Sequence, residues 1–219
     1  MDLLKVNSIK VYIIESLKDC DIRTGENLKD NLRQIWYDQS FLSDFDCLYI
    51  PVENESDLVC ALSSIEKEVK ENDKFPILQL ECHGSDDKLG IALKSNDLIK
   101  WKSLFEFLRP INIAASNFLL VNLSMCNGDA VIRYIDPTKR APFRAVTCSS
   151  GKVLPNFLEN AWHRFYCYLV NSFQEDYGLS KNAKNSNVLY FPQELIFDSY
   201  FDLANKDPEL FNTLVKKEL

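Results

Sequence analysis

The chain is poor in histidine, methionine and glycine, with two His, two Met and six Gly in 219 residues. So few histidines leave little choice: a thiol nucleophile with an imidazole partner has to use His83 or His163. The seven cysteines, at 20, 47, 60, 82, 126, 148 and 167, show no CxxC pair. Their odd number and their scatter through periodic apolar segments read as reduced thiols and not as a disulfide framework. No apolar run approaches the roughly 20 residues of a membrane span. Met1 to Lys10 carries charge where a signal peptide needs apolar residues, so a cytoplasmic location without a membrane partner is expected. No Lys/Arg cluster is longer than a pair and the formal net charge is -7, which leaves no electrostatic footprint for nucleic acid. The phosphate-binding fingerprints GxGxxG and GxxxxGKS are also missing.

What is present is ordinary globular material, 46% apolar and 26% charged, enough for one sizeable domain over residues 1–219. Strand signals fall at Ile9 to Ile14, Cys47 to Val52, Phe75 to Cys82, Phe118 to Leu123 and Phe143 to Cys148, with Val188 to Phe191 as a sixth. Helical stripes lie between them. Leu28, Leu32 and Ile35 form one, and Leu58, Leu62, Ile65 and Val69 a second behind Ser56 as cap. Trp101, Leu104, Phe105 and Leu108 form a third, ended by Pro110, and Pro155 opens the longest, with Leu158, Ala161, Trp162, Phe165 and Leu169 on its apolar face. A brief apolar stretch, Leu89 to Leu93, precedes the third stripe, and Gln174 to Asn187 reads as a surface loop. Alternating strands and helices predict an α/β fold, a three-layer sandwich around a mostly parallel six-stranded sheet.

Ligands of such sheets bind beyond the carboxyl ends of the strands. Gly25, Gly84, Gly128 and Gly151 all follow predicted strands at that edge, beside Glu81-Cys82-His83-Gly84 and Ser124-Met125-Cys126-Asn127-Gly128. Cys126 ends the most apolar strand ahead of an expected helix near Gly128, a position that favours a thiolate. His163, off its helix stripe beside Asn160 and Arg164, is expected in solvent, which leaves His83 as partner of Cys126. The chemistry of that pair is acyl transfer: the thiolate attacks a carbonyl, His83 protonates the departing amine, and the N–H groups of Gly84 and Cys126 receive the oxyanion.

These residues, in this order and strand context, resemble the caspase-like (clan CD) cysteine peptidases, which include caspases, metacaspases, separase and the CHAT-domain peptidases. Arg23-Thr24-Gly25-Glu26, between the first strand and the first helix, looks like the Arg-x-Gly segment of caspases. The resemblance covers roughly Ser8 to Leu169. It implies the caspase-hemoglobinase fold with strand order 2-1-3-4-5-6, a protein substrate, no cofactor, and a substrate-binding role for Arg23 toward an acidic side chain. Ser124 stands where caspases place Gln and metacaspases Asp, which leaves the preference at that subsite open. The segment from Asp129 to Pro142 is short for a processing linker, with Asp136 to Arg140 its one exposed-looking stretch, so control by an activating partner or a small-molecule signal is expected in place of self-cleavage. The compact form also resembles proteases of bacterial antiviral defence.

Two alternatives stand beside this reading. Cys82, His83, Cys126 and Cys148 approach one sheet edge and converge on zinc in a metal-site reading, though adjacent Cys82 and His83 should point to opposite faces. A catalytically inactive scaffold or ligand-binding module keeps the same loops without the chemistry.

Overall fold

Alternation with period two decides the architecture, because each central strand carries apolar side chains on both faces and needs a helix layer on each side. The computed structural model describes residues 9–37, 45–72 and 75–182. The strands are β1 (Ile9–Ser16), β2 (Phe45–Pro51), β3 (Phe75–Gly84), β4 (Gly90–Ala92), β5 (Leu98–Lys100), β6 (Leu120–Ser124) and β7 (Ala145–Cys148). The helices are α1 (Thr24–Tyr37), α2 (Glu55–Asn72), α3 (Trp101–Ala114) and α4 (Pro155–Asn182), with a 3-10 helix at Gly128–Tyr134.

Five strands pair in parallel in the order β2-β1-β3-β6-β7, which is the second, first, third, fourth and fifth of the strands read from sequence. On one face Val11, Ile13, Ile77 and Leu120 pack with Leu28 and Leu32 of α1 and Trp162 and Phe165 of α4. On the other Tyr12, Leu78, Leu80 and Val121 pack with Leu58 and Leu62 of α2 and Leu104 and Phe105 of α3. The result is a three-layer α/β sandwich whose two cores divide the odd and even positions of β3. Among the described residues no helix is long and apolar enough to cross a membrane.

Several local expectations change. The apolar stretch from Leu89 to Leu93 contains β4, which pairs antiparallel with the end of β3 and with β5. Strands of three residues are too short for their alternation to be read from the sequence. α3 does not stop at Pro110 but runs to Ala114, because the stripe continues through the fully buried Ile111, whose packing offsets the hydrogen bond that proline removes. The cap of α2 is Asn54, whose Oδ1 accepts the Asp57 N–H at 3.0 Å, whereas Ser56 lies inside the first turn. Gln174 to Asn182, expected as loop, extend α4. The expected sixth strand, Val188 to Phe191, and a helical tail that the sequence suggests after Glu209 lie outside the described residues.

Candidate active site

The strand order reverses at β1 and β3, since the chain leaves β1 for β2 on one side and returns to β3 on the other, and sheets of this kind take their ligands beyond the carboxyl ends of such strands. Two buried carboxylates face each other there, Glu15 and Glu81, which are partners in the β1–β3 register. Glu15 is well compensated. Its carboxylate accepts the Gly25 N–H at 2.8 Å, the Glu26 N–H at 3.3 Å and the Tyr49 hydroxyl at 2.8 Å, and it pairs with Arg23 Nε. It therefore caps α1 from a neighbouring strand, and Gly25 makes the approach possible, because a Cβ there would stand 2.9 Å from the Glu15 carboxylate.

Glu81 has neutral donors only. Thr24 Oγ1 and Gln79 Nε2 each donate at 2.7 Å, and the Ser124 hydroxyl lies nearby without a well-formed hydrogen bond. The Gln79 amide oxygen accepts the Tyr166 hydroxyl at 3.0 Å, which ties this cluster to α4. Burial, helped by the charge of Glu15, pushes the Glu81 carboxyl up to about 7.

Two residues beyond Glu81, His83 reaches the same face of the sheet as Gln79 and Glu81, and its side chain is half exposed. Its Nε2 lies 2.8 Å from Asp21 Oδ2, an oxygen that also accepts the Lys18 N–H at 2.8 Å. That contact to His83 is the main cause holding the Asp21 carboxyl below its ordinary value. The β3–β6 register ends with Glu81 opposite Ser124, and beyond it the chain turns at Cys126, whose sulfur meets Val153 on the α1/α4 side. The backbones there are close: a Cβ on Gly84 would stand 1.9 Å from the Cys126 carbonyl oxygen, which only glycine permits. Ser85 gives its N–H to Gly90 at 3.0 Å, so by the alternation of an antiparallel ladder the Gly84 N–H points away from β4, toward the β6 side. The Cys126 sulfur accepts the Val153 N–H at 3.4 Å and lies 3.6 Å from the Val153 carbonyl. Asn127, at φ 55°, turns the chain into the 3-10 helix and gives its N–H to Gly151 at 2.7 Å.

Gly84 and Cys126 are thus brought together, with His83 next to Gly84 in the chain. Ser124 is not brought to a substrate surface: it is 4% exposed and opposes Glu81 in the interior. Arg23 spends Nε and Nη2 on Glu15 and on the Tyr49 hydroxyl, the latter at 2.7 Å, so its first role here is to neutralise a buried carboxylate. Cys126 precedes a seven-residue 3-10 helix and not an α-helix, so the macrodipole expected to act on it is slight. Cys82 and Cys148 turn into the α2/α3 core, on the face opposite His83 and Cys126, which divides the four supposed zinc ligands between two faces. Among the described residues no cluster of three or more His, Cys, Asp or Glu could hold a metal. His163 is half-buried beside Cys167, at 3.7 Å, where solvent was expected, because its turn of α4 lies against the sheet through Trp162 and Phe165. Sequence reasoning missed Asp21 and Val153. The signal available for Asp21 was a carboxylate in the polar loop after the strand adjacent to that of His83; for Val153 there was none.

If Arg23 is the counterion of Glu15, Arg23→Ala should lower stability by about 1–3 kcal/mol in urea unfolding, less than a fully buried pair because the guanidinium is partly solvated; a pure substrate-binding arginine would leave the midpoint unchanged. For Glu81 the sign follows from a folded-state value above the ordinary 4.5. Between pH 4.5 and about 7 the folded chain keeps a proton that the unfolded chain has released, so stability falls as pH rises through that window and is level above it. Glu81→Gln should remove this slope, and its advantage over the wild type, read as urea midpoints against pH, should grow up to about pH 7. No family model matches the sequence, and no curated protein is similar enough to match it.

Proposed function

We propose that this protein is a caspase-like cysteine endopeptidase with Cys126 as nucleophile and His83 as general acid and base. The observation that carries this is the close approach of the Gly84 and Cys126 backbones just beyond the end of the β3–β6 ladder, with His83 next to Gly84 and a carboxylate, Asp21, on its imidazole Nε2. The Asp21 carboxylate accepts His83 Nε2–H, which fixes the tautomer and leaves Nδ1 free for proton exchange. Nδ1 takes the Cys126 proton, the thiolate adds to the substrate carbonyl, and the oxyanion is received by the N–H groups of Gly84 and Cys126. The imidazolium then passes its Nδ1 proton to the leaving amine as the C–N bond breaks. Water, deprotonated by Nδ1, hydrolyses the thioester and regenerates the thiol.

Exposed apolar side chains flank the pair, Ile22 beside Asp21 and Leu154 beside Val153. They favour peptide substrates with apolar residues near the scissile bond. The engagement of Arg23 by Glu15 speaks against an obligatory acidic residue.

The test is digestion of a diverse peptide pool, read as new termini by mass spectrometry. Wild type should cut, Cys126→Ala should not, and His83→Ala should lose about 10²–10⁴-fold in rate. Asp21→Asn should lose less, chiefly in kcat, with an altered pH profile. Cleavage that persists in Cys126→Ala, or no cleavage by a wild type whose Cys126 is also no more reactive than its other thiols, contradicts the reading and leaves the inactive scaffold.

A further inference from the structure

Away from the His83 edge, a cleft of about 460 Å³ opens between α3 and the segment that follows the 3-10 helix. That volume lies in the range of small-molecule sites. Its charge runs against that of the chain. Lys102, Arg109, Arg133 and Lys139 line it against two carboxylates, Glu106 and Asp136, in a protein of formal net charge -7. The carboxylates are already occupied. Glu106 pairs with Arg109 at 2.7 Å and with Lys139 at 3.1 Å, and Asp136 accepts the Thr138 N–H at 2.9 Å and the Thr138 hydroxyl at 2.6 Å. Arg109 Nε donates to the Arg140 carbonyl at 2.6 Å, which ties the outer wall to α3. Lys102 and Arg133, both exposed, enter no ion pair among the described residues. The floor is the buried Phe105, held edge-on by Phe143, and Tyr134 forms part of the wall.

A concave site with four cations against two carboxylates, one of the cations a guanidinium fork, Arg133, without an ion pair among the described residues, recognises a small anion with several oxygens. The 3-10 helix links this cleft to the nucleophile: its last turn supplies Arg133 and Tyr134, and its first residue, Gly128, is two places from Cys126. It is tied to the loop after β7, because Asn127 N–H bonds to the Gly151 carbonyl at 2.7 Å and Asp129 N–H to the Ser149 carbonyl at 3.1 Å, and Val131 anchors it in the α2/α3 core. We infer that the cleft binds a small phosphorylated anion and that its occupancy is felt at Cys126 through the 3-10 helix. The binding stands on the cleft alone; the coupling rests on the peptidase reading of Cys126.

The experiment is calorimetric titration of the full chain with inorganic pyrophosphate and, separately, with ADP, at two salt concentrations. Each probe should bind saturably and more weakly at the higher salt, and Arg133→Glu and Lys102→Glu should each weaken binding at least about tenfold. Lys70→Glu, at an exposed position of α2 outside the cleft, is the control and should leave anion binding unchanged. Tighter binding of ADP than of pyrophosphate identifies a nucleotide; equal binding identifies the phosphate groups alone as the determinant. Circular dichroism of each variant separates lost binding from lost folding, and should Arg133→Glu unfold, Arg133→Gln takes its place. No saturable binding of either probe up to about 1 mM, or affinities untouched by both reversals, overturns the site. For the coupling, saturating pyrophosphate should change the rate of Cys126 alkylation at least about threefold in wild type and not in Arg133→Glu, and an unchanged rate in both overturns it. A Cys126 no more reactive than the other thiols under all conditions defeats the peptidase reading, while the titration still decides the site.

Discussion

The buried carboxylate of Glu15 is the constraint around which the sheet edge is organised. A charge that is 2% exposed at the end of a central strand has to be met by donors or it costs several kcal/mol, and it is met by Arg23, by the Tyr49 hydroxyl and by the first N–H groups of α1. Those contacts fix the path of the chain from Ser16 to Gly25, and that path carries Asp21 to His83. Remove the charge and the α1 N-terminus, the guanidinium and the loop all lose their common anchor. Arg23 therefore reads differently in the folded chain from its reading as a motif residue: it stabilises the strand end.

Adjacent Glu81 shows the other way of burying an acid. It lies beside an already negative Glu15 with no cation of its own, and burial pushes its proton affinity up to about 7. The interior beneath the site then holds one paired carboxylate and one acid half-protonated near neutral pH, joined through Gln79 to Tyr166 of α4. This hydrogen-bonded cluster links β3, α1 and α4 below His83, so that the histidine stands on a braced strand while its ring stays half exposed.

How much of this was readable depended on whether periodicity or tertiary contact determined the feature. The strands around Val11, Ile77 and Val121 have unbroken apolar faces, so their existence and parallel packing followed from composition and alternation. The placement of His83 and Cys126 at neighbouring strand ends followed from the same alternation, as did the separation of Cys82 from His83. β4 and β5 did not, since three residues carry no period. Pro110 misled because the penalty of a helical proline is local, whereas Ile111 is paid back by the core beyond it. The Glu15 contacts with Arg23 and Tyr49, and the Val153 contact with Cys126, join segments distant in sequence, and no spacing encodes them.

The most direct measurement is site-resolved alkylation of all seven cysteines at mildly acidic pH, in wild type and in His83→Ala. Cys20 and Cys60 are exposed while Cys126 is only half so, which means that accessibility alone favours the wrong residues. If His83 activates its neighbour, Cys126 should be modified first and lose that lead when the imidazole is removed. Labelling that follows exposure, with Cys20 and Cys60 ahead of Cys126 and no response to His83→Ala, would contradict the dyad.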